Sequence, residues 1–253
     1  MMRLLASLLA LAVLTGPGRA DHPSECLLAQ HQLEFVFALP NAARAIAGKK
    51  LTVLVVGAGS STLPGANGPK NAYPARLQKA LTEALPGVTV TVTTDIRFRR
   101  TAEDVLKTLP GVLAAAKPAL LVWQTGTVDA MVAADIDRFS EALDRGIGAA
   151  RKAGADVILI NSQYSPRTES MIALASYTEA MRWVALQQEV PLFNRFAIMR
   201  LWSDLGTFDF MGAAKKLETA ERVHDCLGRL LSDLVVESAK PGGPAHAQPP
   251  TPR

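Results

Sequence analysis

The sequence predicts a doubly wound α/β domain, three-layer α/β/α, with five strands alternating with helices around a mostly parallel sheet. Three observations carry this expectation. Short, nearly continuous apolar runs such as Leu51–Val56 and Ala119–Trp123 have the character of strands buried on both faces. Between them stand segments with helical periodicity, such as Tyr73–Leu85 with Leu77, Leu81 and Ala84 on one face. Gly and Pro punctuate the two kinds at βα spacing, and no internal repeat is visible.

The ends of the chain are read apart from the fold. Met1-Met2-Arg3 is a basic start, Leu4–Leu14 is apolar, and Gly18-Arg19-Ala20 offers small residues for cleavage. Residues 1–20 therefore predict a secretory signal peptide and a periplasmic or secreted protein, with an uncut N-terminal anchor as the alternative. Residues 237–253, ESAKPGGPAHAQPPTPR, are Pro-rich and aperiodic, and a disordered tail is expected there. Residues 21–236 remain as a single domain with ample chain for a core.

Taken in order, Ser24–Ile46 is a lead-in with helical patches interrupted at Pro40. Leu51–Val56 is strand one, and Gly59–Asn71 is a loop rich in Gly, Pro and Asn. The helix Tyr73–Leu85 ends at Pro86-Gly87, and Val88–Thr93 alternates as strand two. Thr101 is an N-cap for Ala102–Ala116, with Glu103 and Asp104 in the first turn. Strand three, Ala119–Trp123, runs into Gln124-Thr125-Gly126-Thr127-Val128-Asp129. The helix Asp135–Ala153 closes at Gly154, followed by strand four, Asp156–Asn161. Then come a helix over Thr168–Gln188, a short strand Val190–Phe193, a helix Arg195–Leu205 and a last helix Glu218–Val236.

Charge and cysteines narrow the function. The formal net charge is +4, but Arg3 and Arg19 leave with the signal and the tail contributes one more positive charge, so the folded part is nearly neutral. The one dense basic cluster is Arg97, Arg99 and Arg100, and aromatics are 6% of the chain, which excludes a nucleic-acid face. Cys26 and Cys226 most simply form one disulfide in an exported protein, stapling the N-terminal segment to the last helix. Two free buried cysteines are the alternative. No spacing suggests a metal ligand set, and no cofactor is expected.

The end of strand one carries the chemistry, because ligands of open α/β sheets bind outside the carboxyl ends of the strands. Gly57-Ala58-Gly59-Ser60-Ser61-Thr62 is only a partial dinucleotide fingerprint, and there is no Gly-Lys-Ser/Thr for a Walker loop. The α/β-hydrolase elbow Gly-x-Ser-x-Gly fails at Leu63. A serine on this turn is either a nucleophile or a hydroxyl that holds an anion.

Several blocks in order resemble the SGNH/GDSL esterases and lipases. These are Gly59-Ser60-Ser61-Thr62 after strand one, Asn71–Leu77, Leu121–Asp129, Asp156–Gln163 with Tyr164-Ser165-Pro166, and Val190–Phe193. The resemblance covers most of residues 33–236 and implies a five-stranded, mostly parallel flavodoxin-like sheet, the SGNH-hydrolase fold. It also implies an acyl esterase or deacylase with Ser61 as nucleophile, its backbone N–H serving as one oxyanion donor. Gly59, Ser60, Arg97 and Thr127 are the further candidates for oxyanion or ligand contacts.

The family pattern is incomplete in this chain. Val128 stands where an oxyanion asparagine is expected, the stretch 96–99 lacks the expected glycine, and 208–222 contains Asp209 but no histidine. Of four histidines, His22 and His31 lie in the lead-in and His246 in the tail, so His224, oriented by Asp209, is the candidate base. His224 read simply is a hydrogen-bonded core histidine on the inward face of the last helix. Two functions follow. One is an exported serine ester hydrolase acting on a small-molecule or glycan ester. The other is a catalytically degenerate member that binds an envelope glycan or a protein partner. No nucleic-acid partner and no transmembrane segment after signal removal are expected, and oligomeric state is not legible.

Overall fold

The computed structural model describes residues 23–27, 37–211 and 216–240. The predicted signal peptide, the tail beyond residue 240, and His22, His31 and His246 lie outside the described residues.

A short helix α1 (Ser24–Leu27) and α2 (Pro40–Ala47) lead into β1 (Lys50–Gly57) and a single 3-10 turn, Gly59–Ser61. The chain continues through α3 (Gly68–Asn71), α4 (Tyr73–Ala84), β2 (Thr89–Ile96), α5 (Ala102–Ala116), β3 (Leu120–Gln124) and α6 (Thr127–Met131). Then follow α7 (Ile136–Lys152), β4 (Asp156–Ile160), α8 (Pro166–Met171), α9 (Leu174–Gln187), β5 (Leu192–Phe193), α10 (Arg195–Asp204) and α11 (Lys216–Ser238). The five strands pair in the order β2-β1-β3-β4-β5, all parallel. This is the doubly wound flavodoxin-like order, and its crevice lies between the carboxyl ends of β1 and β3.

Local chemistry explains the elements. β1, β3 and β4 are almost wholly buried, as their apolar runs require. β2 is an edge strand and alternates in exposure along its first half. Thr101 caps α5 reciprocally with Asp104, as the sequence predicts. Asp135 caps α7 through the Arg138 N–H, and Gly154, at φ 79°, follows the last turn. Gly146 leaves room for Trp123, whose ring would lie 2.3 Å from an added Cβ.

Four expectations are revised. Pro40 begins α2 instead of interrupting the lead-in, since proline at the first helical position loses no bond. The helix expected over Thr168–Gln188 is two, α8 and α9, parted at extended Ile172. The break turns both Ile172 and buried Leu174 toward the core, whereas a continuous helix would splay residues two apart by about 200°. The turn Gly59–Ser61 and the short helices α3 and α6 stand in what reads as loop. At the C-terminal end, α11 runs to Ser238, past the expected boundary at 236, because buried Ser238 gives its carbonyl to the Leu39 N–H at 2.9 Å.

α11 packs along α4, and α5, α7 and α9 pack in series. Gly228 permits the first contact, since a Cβ there would meet the Leu77 backbone nitrogen at 2.8 Å. Cys26 and Cys226 form a disulfide, tying α1 to α11 across 200 residues of sequence. Both sulfur positions are buried.

Closing so long a loop restricts the unfolded chain. Reduction, or Cys226→Ala, is expected to lower the unfolding free energy by about 2–5 kcal/mol. Urea titration with and without reductant measures it, and an unchanged midpoint would deny the bond that role.

Candidate functional site

The end of β1 is built for close approach. Gly57 has no room for a side chain, because a Cβ would lie 2.2 Å from Ser61 Oγ. Gly59 is bare for a different reason: the Phe98 ring lies over it, 2.7 Å from where a Cβ would be. After Ala58 the chain makes its 3-10 turn, with the Ser61 N–H donating to the Ala58 carbonyl at 2.9 Å.

Gln124, at the end of neighbouring β3, fastens this turn. Its Oε1 accepts from the Ala58 N–H at 3.3 Å, from Ser60 Oγ at 3.2 Å and from Ser61 Oγ at 2.8 Å. The hydroxyl of Ser61 also meets the Tyr73 hydroxyl at 3.1 Å. With the Ser61 proton given to Gln124, the Tyr73 O–H is the donor of that pair. Ser61 is completely buried. It borders a small cavity of about 170 Å³ beside the edge strand, together with Thr94 and Ile96.

The larger cavity, about 470 Å³, opens on the other side of the turn. Gly59 and Ser60 line it from the turn, Gln163, Tyr164 and Ser165 from beyond β4, and Arg195 and Met199 from α10. Asp209 and Phe210 enter from the loop after α10, and Val223 and His224 from α11. The structure thus brings Gly59, Ser60, Asp209 and His224 to one cavity. Ser61, Arg97 and Thr127 do not line it.

His224 is buried, and its Nδ1 accepts the Tyr73 N–H at 2.9 Å. Tyr73 opens α4, and its N–H is one of the orphan donors of a helix start whose N-cap, Ala72, has no side-chain acceptor. An imidazole from another helix takes that place, so the neutral ring carries its proton on Nε2. Burial, then the charges of Arg195 and Arg76, push the His224 pKa down to about 3. At neutral pH this ring is a hydrogen-bond donor through Nε2–H, not a proton acceptor. Its Nδ1 is held by Tyr73 and not by Asp209, whose Oδ1 accepts the Met211 N–H at 2.9 Å.

Two arginines of the basic cluster after β2 are paired with Asp95. Arg97 is exposed and bonds Asp95 through Nε at 2.9 Å. Arg100 is buried and grips both the carboxylate and the carbonyl of Asp95, at 2.7 and 2.8 Å. Burial works against the Asp95 charge, but the bonds and charges of the two arginines outweigh it and hold its carboxyl below the usual range. Thr127 starts α6, and its buried Oγ1 has no hydrogen-bond partner. Asp129 is a brace, accepting from Ala102 N–H, Thr125 Oγ1 and Gly126 N–H at 2.8–3.2 Å, and burial raises its pKa.

Sequence reasoning missed Arg195. It follows β5 and opens α10, whose N-cap Asn194 receives the Asn161 Nδ2–H at 2.8 Å and the Ala197 N–H at 3.1 Å. Its side chain is 1% exposed. Nη1 donates to the Ser60 carbonyl at 3.0 Å, Nη2 reaches Gln163 Oε1 at 3.4 Å, and the guanidinium lies 5.9 Å from the Tyr73 ring centre. Burial lowers its pKa to about 10, which leaves it charged. Its position two residues past a strand end was the available signal.

A model of the non-GDSL lipase-like family matches residues 25–241. Among solved structures, TesA is 26% identical with a TM-score of 0.57, over 72% of this chain and 99% of that one. A G-D-S-L-family lipolytic protein from Desulfitobacterium hafniense is 16% identical, with a TM-score of 0.56 over 72% and 98%. A catalytic variant of an acetylxylan esterase from Geobacillus stearothermophilus is 14% identical, with a TM-score of 0.56 over 75% and 94%. No curated protein matches significantly.

The histidine generates a pH prediction. Its folded pKa, about 3, lies below the ordinary value of 6.5, so the unfolded chain takes up the proton first. Stability is full above about pH 6.5 and falls with declining pH toward 3, by up to about 1.4 kcal/mol per pH unit. His224→Asn keeps an acceptor for Tyr73 and should flatten that component. Urea unfolding of both proteins at pH 7, 5 and 4 tests this; parallel losses would remove the histidine as their cause.

Proposed function

The chain belongs to the non-GDSL lipase-like family, and we propose that it is an exported ester hydrolase whose attacking hydroxyl is Ser60. One observation carries this: Ser60 is the serine of the turn that faces the 470 Å³ cavity, while the fully buried Ser61 borders only the smaller cavity of about 170 Å³. The esterases and lipases with the same fold support the reaction class, and the buried Cys26–Cys226 disulfide supports export. The substrate is an acyl ester, of a small molecule or of a glycan.

In this reading Ser60 Oγ adds to the acyl carbonyl as its proton passes to the Asp209 carboxylate. The carbonyl oxygen becomes an oxyanion, met by the N–H groups that open the turn and by His224 Nε2–H. Collapse expels the alcohol, which takes the proton back from Asp209, and water then hydrolyses the acyl-Ser60 ester. A carboxylate is a weaker base than imidazole, by about 2–3 units of reference pKa, so turnover is slow.

A second reading, binding of an acylated ligand without turnover, is favoured by the His224 tautomer. With Nδ1 taken by the Tyr73 N–H, the ring already holds its proton on Nε2 and cannot accept another from serine.

Turnover of p-nitrophenyl acetate by the oxidised protein separates the two. Ser60→Ala should reduce it by at least about 10²-fold. Ser61→Ala, which loses two buried hydrogen bonds worth about 1–3 kcal/mol of stability together, should leave the folded enzyme within a few-fold of its parent. Wild-type turnover no greater than that of Ser60→Ala would sink the hydrolase reading for simple acetyl esters and leave the binding one.

A further inference from the structure

We propose that the large cavity recognises a ligand bearing a free carboxylate, seated on the side edge of the Arg195 guanidinium formed by Nε and Nη2. The inference rests on this cavity being the ligand site, as proposed above, and not on turnover there.

Arg195 is withdrawn from water without the partner that normally justifies it. A buried cation is ordinarily paired or fully hydrogen-bonded. Among the described residues no carboxylate stands within ion-pair distance of Arg195, and its Nε is buried with no hydrogen-bond partner. Bracing the turn accounts for one nitrogen only, Nη1 on the Ser60 carbonyl. Nη2 has a long bond, 3.4 Å, to the neutral amide oxygen of Gln163. The unsatisfied edge is therefore Nε with Nη2, two parallel donors with the spacing of a carboxylate's two oxygens.

Gln163 itself lines the cavity, so its amide oxygen marks where an incoming oxyanion would sit. A ligand carboxylate that displaces it replaces one long neutral contact with two charge-assisted bonds. Lys216 on the cavity wall adds positive charge, and Leu63, Met199 and Val223 offer apolar surface for the carbon skeleton. Asp209, the carboxylate on the wall, is held by the Met211 N–H and is exposed, so it does not neutralise the buried arginine. The ligand class that fits is an ester or acyl compound with a separate carboxylate, such as a dicarboxylic half-ester or an acylated sugar acid.

The test is calorimetric titration of the oxidised protein with monomethyl glutarate and with dimethyl glutarate, which differ by the one charge. The half-ester should bind at least about tenfold more tightly, the discrimination expected of a charge-assisted bidentate pair. Arg195→Gln should erase the preference, and Arg195→Lys, which keeps the charge but not the fork, should retain only part of it. Equal binding of the two esters, or a preference that survives Arg195→Gln, overturns the proposal. Inorganic phosphate that binds as tightly as the half-ester also overturns it, because the site would then be a general anion site. Should both Arg195 variants fail to fold, Gln163→Ala decides: binding of the half-ester should tighten several-fold, and unchanged affinity overturns the assignment. Loss of the hydrolase reading shows separately, as absent p-nitrophenyl acetate turnover with the half-ester preference intact.

Discussion

Tyr73 offers three chemically different surfaces to three different parts of the chain, and the strand ends are held in register through them. Its backbone N–H is capped by His224 on α11, its hydroxyl bonds Ser61 on the turn after β1, and its ring lies beneath Arg195 on α10. The residue is 1% exposed, and burial raises its pKa, against the Ser61 bond and the Arg195 charge, so the phenol stays protonated and keeps its donor role. Elements separated by some 150 residues of sequence thus share one buried polar knot. Low local dielectric makes such a knot strong when satisfied and costly when broken.

Gln124 is the second fastening, and together the two define what the turn can do. Three donors converge on one amide oxygen, two of them the serine hydroxyls. An amide oxygen accepts hydrogen bonds without taking the proton, so Gln124 orients Ser60 and Ser61 without activating either. The glycines on either side of Ala58 are explained by sterics. Gly57 admits the Ser61 side chain and Gly59 admits the Phe98 ring, and neither has a left-handed backbone.

The fold was legible because it is written in period and punctuation. Apolar runs for β1, β3 and β4, the Thr101 cap and Gly154 each fix an element through interactions within a few residues. The site was legible only where the strand-end rule reaches: it located the turn and the Gly126–Asp129 block, but not which side of the turn holds the cavity. That choice depends on Gln124, Tyr73 and Phe98 meeting across the sheet, and no local pattern encodes it. The same limit separates Ser60 from Ser61, adjacent serines whose side chains diverge on a 3-10 turn. It also hid Arg195, which as a sequence feature is an ordinary basic residue at a helix start, and it left Arg97 looking available when Asp95 already holds it.

Arg195 and His224 together constrain the chemistry more than either does alone. A serine–histidine pair works by placing positive charge on the imidazole as negative charge develops on the substrate. Here the arginine's fixed charge and the burial of the ring both oppose an imidazolium, and Nδ1 is already committed to a backbone donor. The same features favour negative charge: Arg195 lies beside the turn, and His224 has a neutral N–H to contribute. A cavity of this polarity stabilises an anion, whether an oxyanion formed during attack or a carboxylate brought by the ligand. It penalises any mechanism that must create a cation inside it. In the proposed mechanism the Ser60 proton therefore passes to a group that is anionic beforehand, the Asp209 carboxylate on the same wall. Without that transfer the cavity is a binding site, the second of the two proposed readings.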